Sequence, residues 1–188
     1  MSNKVTIEGE KLMKHYESLN DNDMSTIALE PKMDCSGYWT KGWGHLIVDT
    51  LTKKPLRYAK DMARAYEIGT VTRETADIQF TQDVAIFAYA LAKEVKVALT
   101  DSQFSALVSF CFNGGLGFFV SPSSVGRKIN SNNFEAALAT MLLYDKSDGV
   151  RLAGLYARRL SEVDLFRKGE LWFYNVDKNF KVLGKVRG

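Results

Sequence analysis

From Asp34 to His45 the chain can do little but turn back on itself. The run Asp34-Cys35-Ser36-Gly37-Tyr38-Trp39-Thr40-Lys41-Gly42-Trp43-Gly44-His45 interleaves glycines with aromatics and a β-branched threonine. Such residues favour extended strands and tight turns over helix. A hairpin there projects Asp34 and Thr40, six residues apart, side by side. A carboxylate and a hydroxyl so placed can hold and activate one water molecule. Upstream, Glu17 closes the helix-like run Lys14-His15-Tyr16-Glu17-Ser18. A helix-borne glutamate facing a hairpin aspartate is the two-carboxylate arrangement used for glycoside hydrolysis.

The rest of the chain supplies a frame for that hairpin. Thr6 is a helix N-cap, and Leu12, Tyr16 and Leu19 recur at helical spacing until Asn20-Asp21-Asn22-Asp23 stops the run. Residues 27–58 have the texture of strand and turn. Thr72 opens a long helix with Phe80, Val84, Phe87, Ala88, Leu91 and Val95 on one face. Thr100 and Gln103 form a capping-box signature before an apolar helix over 102–112, the expected buried centre. Gly114-Gly115 ends that helix, with Gly117 in the turn beyond. Residues 123–128, 134–143 and 158–166 read as further helices. Residues 171–176 and 180–183 flank Asp177-Lys178-Asn179 as a hairpin. The expected fold class is α+β: a small hairpin lobe beside a larger helical lobe, with a cleft between them.

With 188 residues the chain suits a single domain of two lobes, and 46% hydrophobic residues is ordinary for a globular protein. A net charge of +3 without a dense Lys/Arg stripe suits an anionic polymer but gives nucleic-acid binding little support. No run of 18 apolar residues exists, so no stable membrane insertion is expected. The stretch Met1 to Thr6 lacks the apolar segment of a secretory signal. Cys35 and Cys111 read as free thiols, and neither forms a recognisable cysteine-nucleophile or metal pattern with His15 and His45.

The Asp34–His45 run resembles the active-site hairpin of phage-type lysozymes, glycoside hydrolase family 24. That pattern has a Glu ending the first helix, an Asp, a Thr six residues on, then Gly-x-Gly-His. Residues 99–110, the turn Phe112-Asn113-Gly114-Gly115 and the late run Gly154-Leu155-Tyr156-Ala157-Arg158-Arg159-Leu160-Ser161-Glu162 are similar to the same family in the same order. The resemblance spans residues 6–169, which makes 1–169 the lysozyme-like catalytic domain. Residues 170–188 are then a C-terminal extension, expected to pack on the domain as a hairpin. Two features depart from the family: the 17-residue separation of Glu17 and Asp34, with a polar insert near residues 20–27, and a long segment over 49–71.

The resemblance implies roles. Glu17 is the general acid, Asp34 orients or deprotonates the attacking water, and Thr40 holds that water's other side. His45 supports the hairpin by hydrogen bonds, Asn113 and Gly114 contact sugar amides, and Arg158 pairs with the catalytic glutamate. Each residue also has an ordinary structural use: a solvated helix-end Glu17, a turn-capping Asp34, a strand Thr40, a C-capping Asn113. Glu8 rivals Glu17 because Glu8-Gly9 mimics the family's Glu-Gly, but its place at a helix start is where the helix dipole favours any carboxylate. The function implied is that of a phage endolysin, a lysozyme that needs no cofactor and no metal. It acts as a monomer on peptidoglycan glycan strands and waits in the host cytoplasm until a separate protein permeabilises the membrane. A lytic transglycosylase, which needs no water holders, and a non-catalytic peptidoglycan-binding relative are the alternatives.

Overall fold

The computed structural model describes residues 3–18, 28–34, 36–121 and 125–188. The chain forms two compact units, one of Lys14–Val84, the other of Met1–Met13 with Ala85–Gly188. The polar insert near residues 20–27, Leu19, Cys35 and the start of the helix expected over 123–128 lie outside the described residues.

Helix α1 (Ile7–Ser18) begins where the sequence places its cap: Thr6 Oγ1 accepts from the Gly9 amide at 3.1 Å. Leu12, Met13 and Tyr16 are buried along it. In the smaller unit β1 (Ala28–Met33), β2 (Trp39–Gly42) and β3 (His45–Leu46) form an antiparallel sheet in chain order. Met33 lies opposite Trp39 and Lys32 opposite Thr40, with an irregularity between Ala28 and Lys32. Trp39, Ile47, Leu56 and Ala65 make this unit's small core.

Within the long segment 49–71 stands α2 (Met62–Gly69), a helix absent from the sequence expectations. Its buried positions are Ala65 and Gly69, too small to print an apolar period, and Asp61 makes no side-chain cap. The carboxylate of Asp61 instead accepts from the Arg57 amide at 2.7 Å. Before α2, Asp49 accepts the amides of Leu51 and Thr52 and the Arg64 guanidinium. The Thr52 amide first, then Arg64, holds this carboxyl far below the usual range.

Helix α3 (Arg73–Glu94) follows the Thr72 cap, whose hydroxyl accepts from the Thr75 amide at 3.1 Å. Phe80, Val84 and Leu91 are buried as the period requires, whereas Val95 falls just past the helix end. In the larger unit α4 (Asp101–Gly114) has a complete capping box at Thr100 and Gln103, and every residue from Phe104 to Cys111 is buried. Gly115, with φ of 80°, closes it. Gly117, expected in the following turn, instead opens a short helix α5 (Gly117–Val120).

Helices α6 (Val125–Asn130) and α7 (Phe134–Met141) match the expected runs closely. Strands β4 (Lys146–Ser147) and β5 (Val150–Arg151) form a two-residue-per-strand hairpin that the sequence reading passed over. Its signal was Asp148-Gly149, both at positive φ, the standard residues of a tight hairpin turn. Helix α8 (Ala153–Lys168) starts five residues before the expected 158 because Leu152 already serves as its N-cap, and it ends on left-handed Gly169. Beyond it β6 (Trp172–Val176) pairs with β7 (Val182–Arg187) across a turn in which Asp177 Oδ1 accepts the amides of Asn179 and Lys181. The second strand lies later than the expected 180–183, since Phe180 takes a positive φ and belongs to the turn. Tyr174, Lys168 and Lys185 all reach the carboxylate of Asp164 on α8.

Candidate active site

The last turn of α1 carries Glu17 to the β2–β3 turn. Gly44 has a φ of 84°, and a Cβ built on it would stand 2.7 Å from Glu17 Oε2. Glycine at position 44 therefore serves twice, taking a backbone conformation that L side chains resist and leaving room for the carboxylate. Gly42, with φ of 56°, likewise lets β2 approach Ala76 of α3, where a Cβ would come within 2.8 Å. Between them Trp43 is buried and donates its indole N–H to Asp77 Oδ1 at 2.8 Å. Lys14, one helical turn before Glu17, reaches the same oxygen at 2.7 Å and lies over the rings of Trp43 and Phe80. Burial pushes the Asp77 carboxyl upward, but the bonds from Lys14 and Trp43 outweigh it and leave it below its ordinary value.

Asp34 stands at the end of β1, and its Oδ1 accepts the amides of Ser36 at 2.9 Å and Tyr38 at 2.7 Å. That is the turn-capping use weighed from sequence. Its Oδ2 has no hydrogen-bond partner among the described residues. Thr40 donates its hydroxyl to the Lys32 carbonyl at 3.3 Å, which leaves the oxygen's lone pairs for another donor. Because Lys32 faces Thr40 and the Asp34 amide bonds the Tyr38 carbonyl, strand alternation puts Asp34, Lys32, Tyr38 and Thr40 on one face of the hairpin. Asp34 and Thr40 are then diagonal neighbours about 7–8 Å apart between Cα atoms. His45 on β3 bonds Asp83 Oδ2 of α3 through Nδ1 at 2.8 Å, so it ties the hairpin to that helix.

Asn113, Gly114 and Arg158 belong to the larger unit. Asn113 is exposed, and its Oδ1 accepts from the buried Arg159 guanidinium at 3.1 Å. Gly114 lies under Phe118, whose ring a Cβ would meet at 1.9 Å. Arg158 is buried, with contacts to Glu162 Oε1 and the Ser109 carbonyl, each at 3.4 Å. Trp39 is buried in the small core with its indole N–H on the Tyr58 carbonyl. Asp77, Asp83 and Arg57 escaped the sequence reading because their partners are remote along the chain and no local pattern marks them.

Among the described residues no cluster of His, Cys, Asp and Glu could hold a metal ion, and no helix is long and apolar enough to cross a membrane. Burial pushes the Cys111 thiol up to about 12, which leaves it inert as a nucleophile. Burial also lowers His15 on α1 to about 4 from an ordinary 6.5. Between those values the unfolded chain binds the proton that the folded chain refuses, so stability falls as pH drops through this window and the loss is complete below it. The melting temperature should therefore decrease from pH 7 to pH 5, and His15→Gln should show a smaller decrease in the same scan.

A small antiparallel sheet capped by a helix-end glutamate, with a separate helical unit built on one buried helix, is the architecture of lysozyme-type folds. The structure is similar to an endolysin from Escherichia coli O157:H7 phage FAHEc1, with a TM-score of 0.67, 26% identity and coverage of 88% of this chain and 94% of that one. It is similar to the muramidase domain of SpmX from Asticaccaulis excentricus, with a TM-score of 0.64, 27% identity and coverage of 89% and 99%. The model of the phage lysozyme family matches residues 22–162, and the chain belongs to that family. Over 166 residues, 88% of this chain, it is 33% identical to the endolysin of Bacillus phage B103. The chain spans 55% of that relative's length and 56% of the endolysin of Bacillus phage PZA, to which it is 30% identical.

Proposed function

We propose that this protein is a phage endolysin that hydrolyses the β-1,4 bond between N-acetylmuramic acid and N-acetylglucosamine in peptidoglycan and so lyses the host cell. Family membership, the endolysins among its relatives and the muramidase domain among similar structures support this reading. The observation that carries it is the seat of Glu17 against Gly44, on the sheet that bears Asp34 and Thr40. Glu17 protonates the leaving glycosidic oxygen as the bond to the anomeric carbon breaks. Asp34 takes a proton from the attacking water through Oδ2, since its Oδ1 is committed to the turn. Thr40 accepts a hydrogen bond from the same water. His45, anchored by Asp83, keeps the hairpin in place. Asn113, its carbonyl oxygen fixed by Arg159, offers amide N–H groups to an N-acetyl oxygen of the substrate.

Product analysis tests the reading. Purified wall should yield new reducing muramic acid ends, and the first-formed anomer should be α, the result of inversion. Inversion follows from a water held between carboxylate and sugar, which needs carboxyls about 6.5–9.5 Å apart, whereas direct attack needs about 5–5.5 Å. A 1,6-anhydro product would mark a transglycosylase, and an initial β anomer would make Asp34 a nucleophile.

A further inference from the structure

Next to Asp34 the smaller unit holds a cation that the reaction above does not use. The Arg57 guanidinium carbon lies 4.1 Å from the centre of the Tyr38 ring and 4.7 Å from that of Tyr58. The backbone fixes all three residues. Tyr38 and Arg57 form an antiparallel bridge, and the Arg57 amide is held by Asp61. Tyr58 takes a φ of 58°, unusual for a bulky side chain, and its ring covers Gly37, where a Cβ would meet it at 2.4 Å. The Tyr58 amide donates to the Gly37 carbonyl and its own carbonyl accepts from Trp39, which keep the strained residue in place.

The guanidinium itself is poorly satisfied. Nη2 donates to the Ser36 carbonyl at 3.3 Å, and Nε is shut from solvent without a hydrogen-bond partner. No carboxylate pairs with this guanidinium among the described residues. A half-buried arginine held between two rings without a carboxylate partner has donors to spare for an anion. Tyr38 sits directly across the hairpin from Asp34, so the cation borders the face that carries the proposed water site.

We propose that Arg57, stiffened by Tyr38 and Tyr58, is a carboxylate-binding subsite for the wall glycan. It rests on the glycan-hydrolase reading and adds to it the recognition of an anionic group. The two Nη groups at the end of the guanidinium take the carboxylate in a two-point bond. The half-exposed ring of Tyr58 offers an apolar face to the adjoining sugar. Wall glycan carries carboxylates in two places, the lactyl group of muramic acid that bears no stem and the ends of the peptide stems.

Binding to the Glu17→Gln protein, followed by nuclear magnetic resonance titration, separates these sources. Three oligosaccharides of equal length serve as probes: a peptide-free muramic acid oligomer, a stem-bearing oligomer and a chitin oligomer without carboxylates. Adding Arg57→Gln should weaken binding of a carboxylate-bearing probe on the order of tenfold, the value of a charged hydrogen bond, and leave the chitin oligomer unchanged. Arg57→Lys should fall between the two, since it keeps the charge and loses the fork. Loss confined to the peptide-free probe assigns the lactyl group, and loss confined to the stem-bearing probe assigns the stem. An equal loss for all three probes would make Arg57 a mere support for the turn, and no loss at all would equally overturn the subsite. Failure of the parent reading looks different: wild-type protein would then release no reducing ends from purified wall.

Discussion

Glu17→Gln should release reducing ends from purified peptidoglycan at a rate roughly 10²–10⁴-fold below that of the wild type, the range for loss of one general acid. The amide keeps the size and seat of the carboxyl beside Gly44, so the melting temperature should stay close to that of the parent. What it cannot do is deliver a proton to the leaving oxygen. Glu8→Gln is the control and should remain active, because Glu8 sits in the first turn of α1, where the helix dipole accounts for a carboxylate. An inactive Glu8→Gln beside an active Glu17→Gln would move the acid to the other end of the helix. Asp34→Asn should also reduce the rate heavily and Thr40→Ala at least several-fold. Full activity in both would remove the water-activation scheme and favour transglycosylation.

The parts of this site that were legible in the sequence are those that local chemistry dictates. Thr6, Thr72 and Thr100 announced their helices because a cap is satisfied within three residues. The hairpin from Asp34 to His45 was legible because its glycines have few other uses, and Gly44 turned out to make room for the very glutamate singled out upstream. Elements without local signals escaped. Helix α2 buries only Ala65 and Gly69, so no apolar stripe marks it. The Asp83 anchor of His45 and the Tyr38–Arg57–Tyr58 arrangement depend on partners 38 and 19 residues away, brought together by a helix-to-strand side-chain contact in the first case and by strand pairing in the second, not by any spacing rule. Asp34 has its turn-capping use in plain view: Oδ1 accepts the amides of Ser36 and Tyr38, a local pattern that the sequence makes legible.

In the larger unit the greatest effect on stability should come from Glu162. Its carboxylate is wholly buried and gathers the Ser109 hydroxyl at 2.7 Å, Arg159 Nη2 at 2.9 Å and Arg158 Nε at 3.4 Å. Arg158 and Arg159 are themselves buried, and Arg159 also lies over the Phe110 ring at 4.9 Å. Buried guanidinium groups beside a buried carboxylate depend on its negative charge. Glu162→Ala removes a buried carboxylate bonded to both guanidinium groups, a change that costs about 3–5 kcal/mol when a buried pair loses one member. Chemical denaturation at neutral pH should show a loss of that size, and a change under about 1 kcal/mol would mean that water or relaxation already compensates the arginines. Ser109→Ala should cost less, because it removes one neutral donor and leaves the ion pairs in place. The same carboxylate fixes Arg159, which holds Asn113 Oδ1, so Glu162→Ala at low temperature should also raise KM for wall fragments if Asn113 binds sugar amides. An unchanged KM in protein still folded would remove Asn113 from the substrate contacts while leaving the stability argument intact.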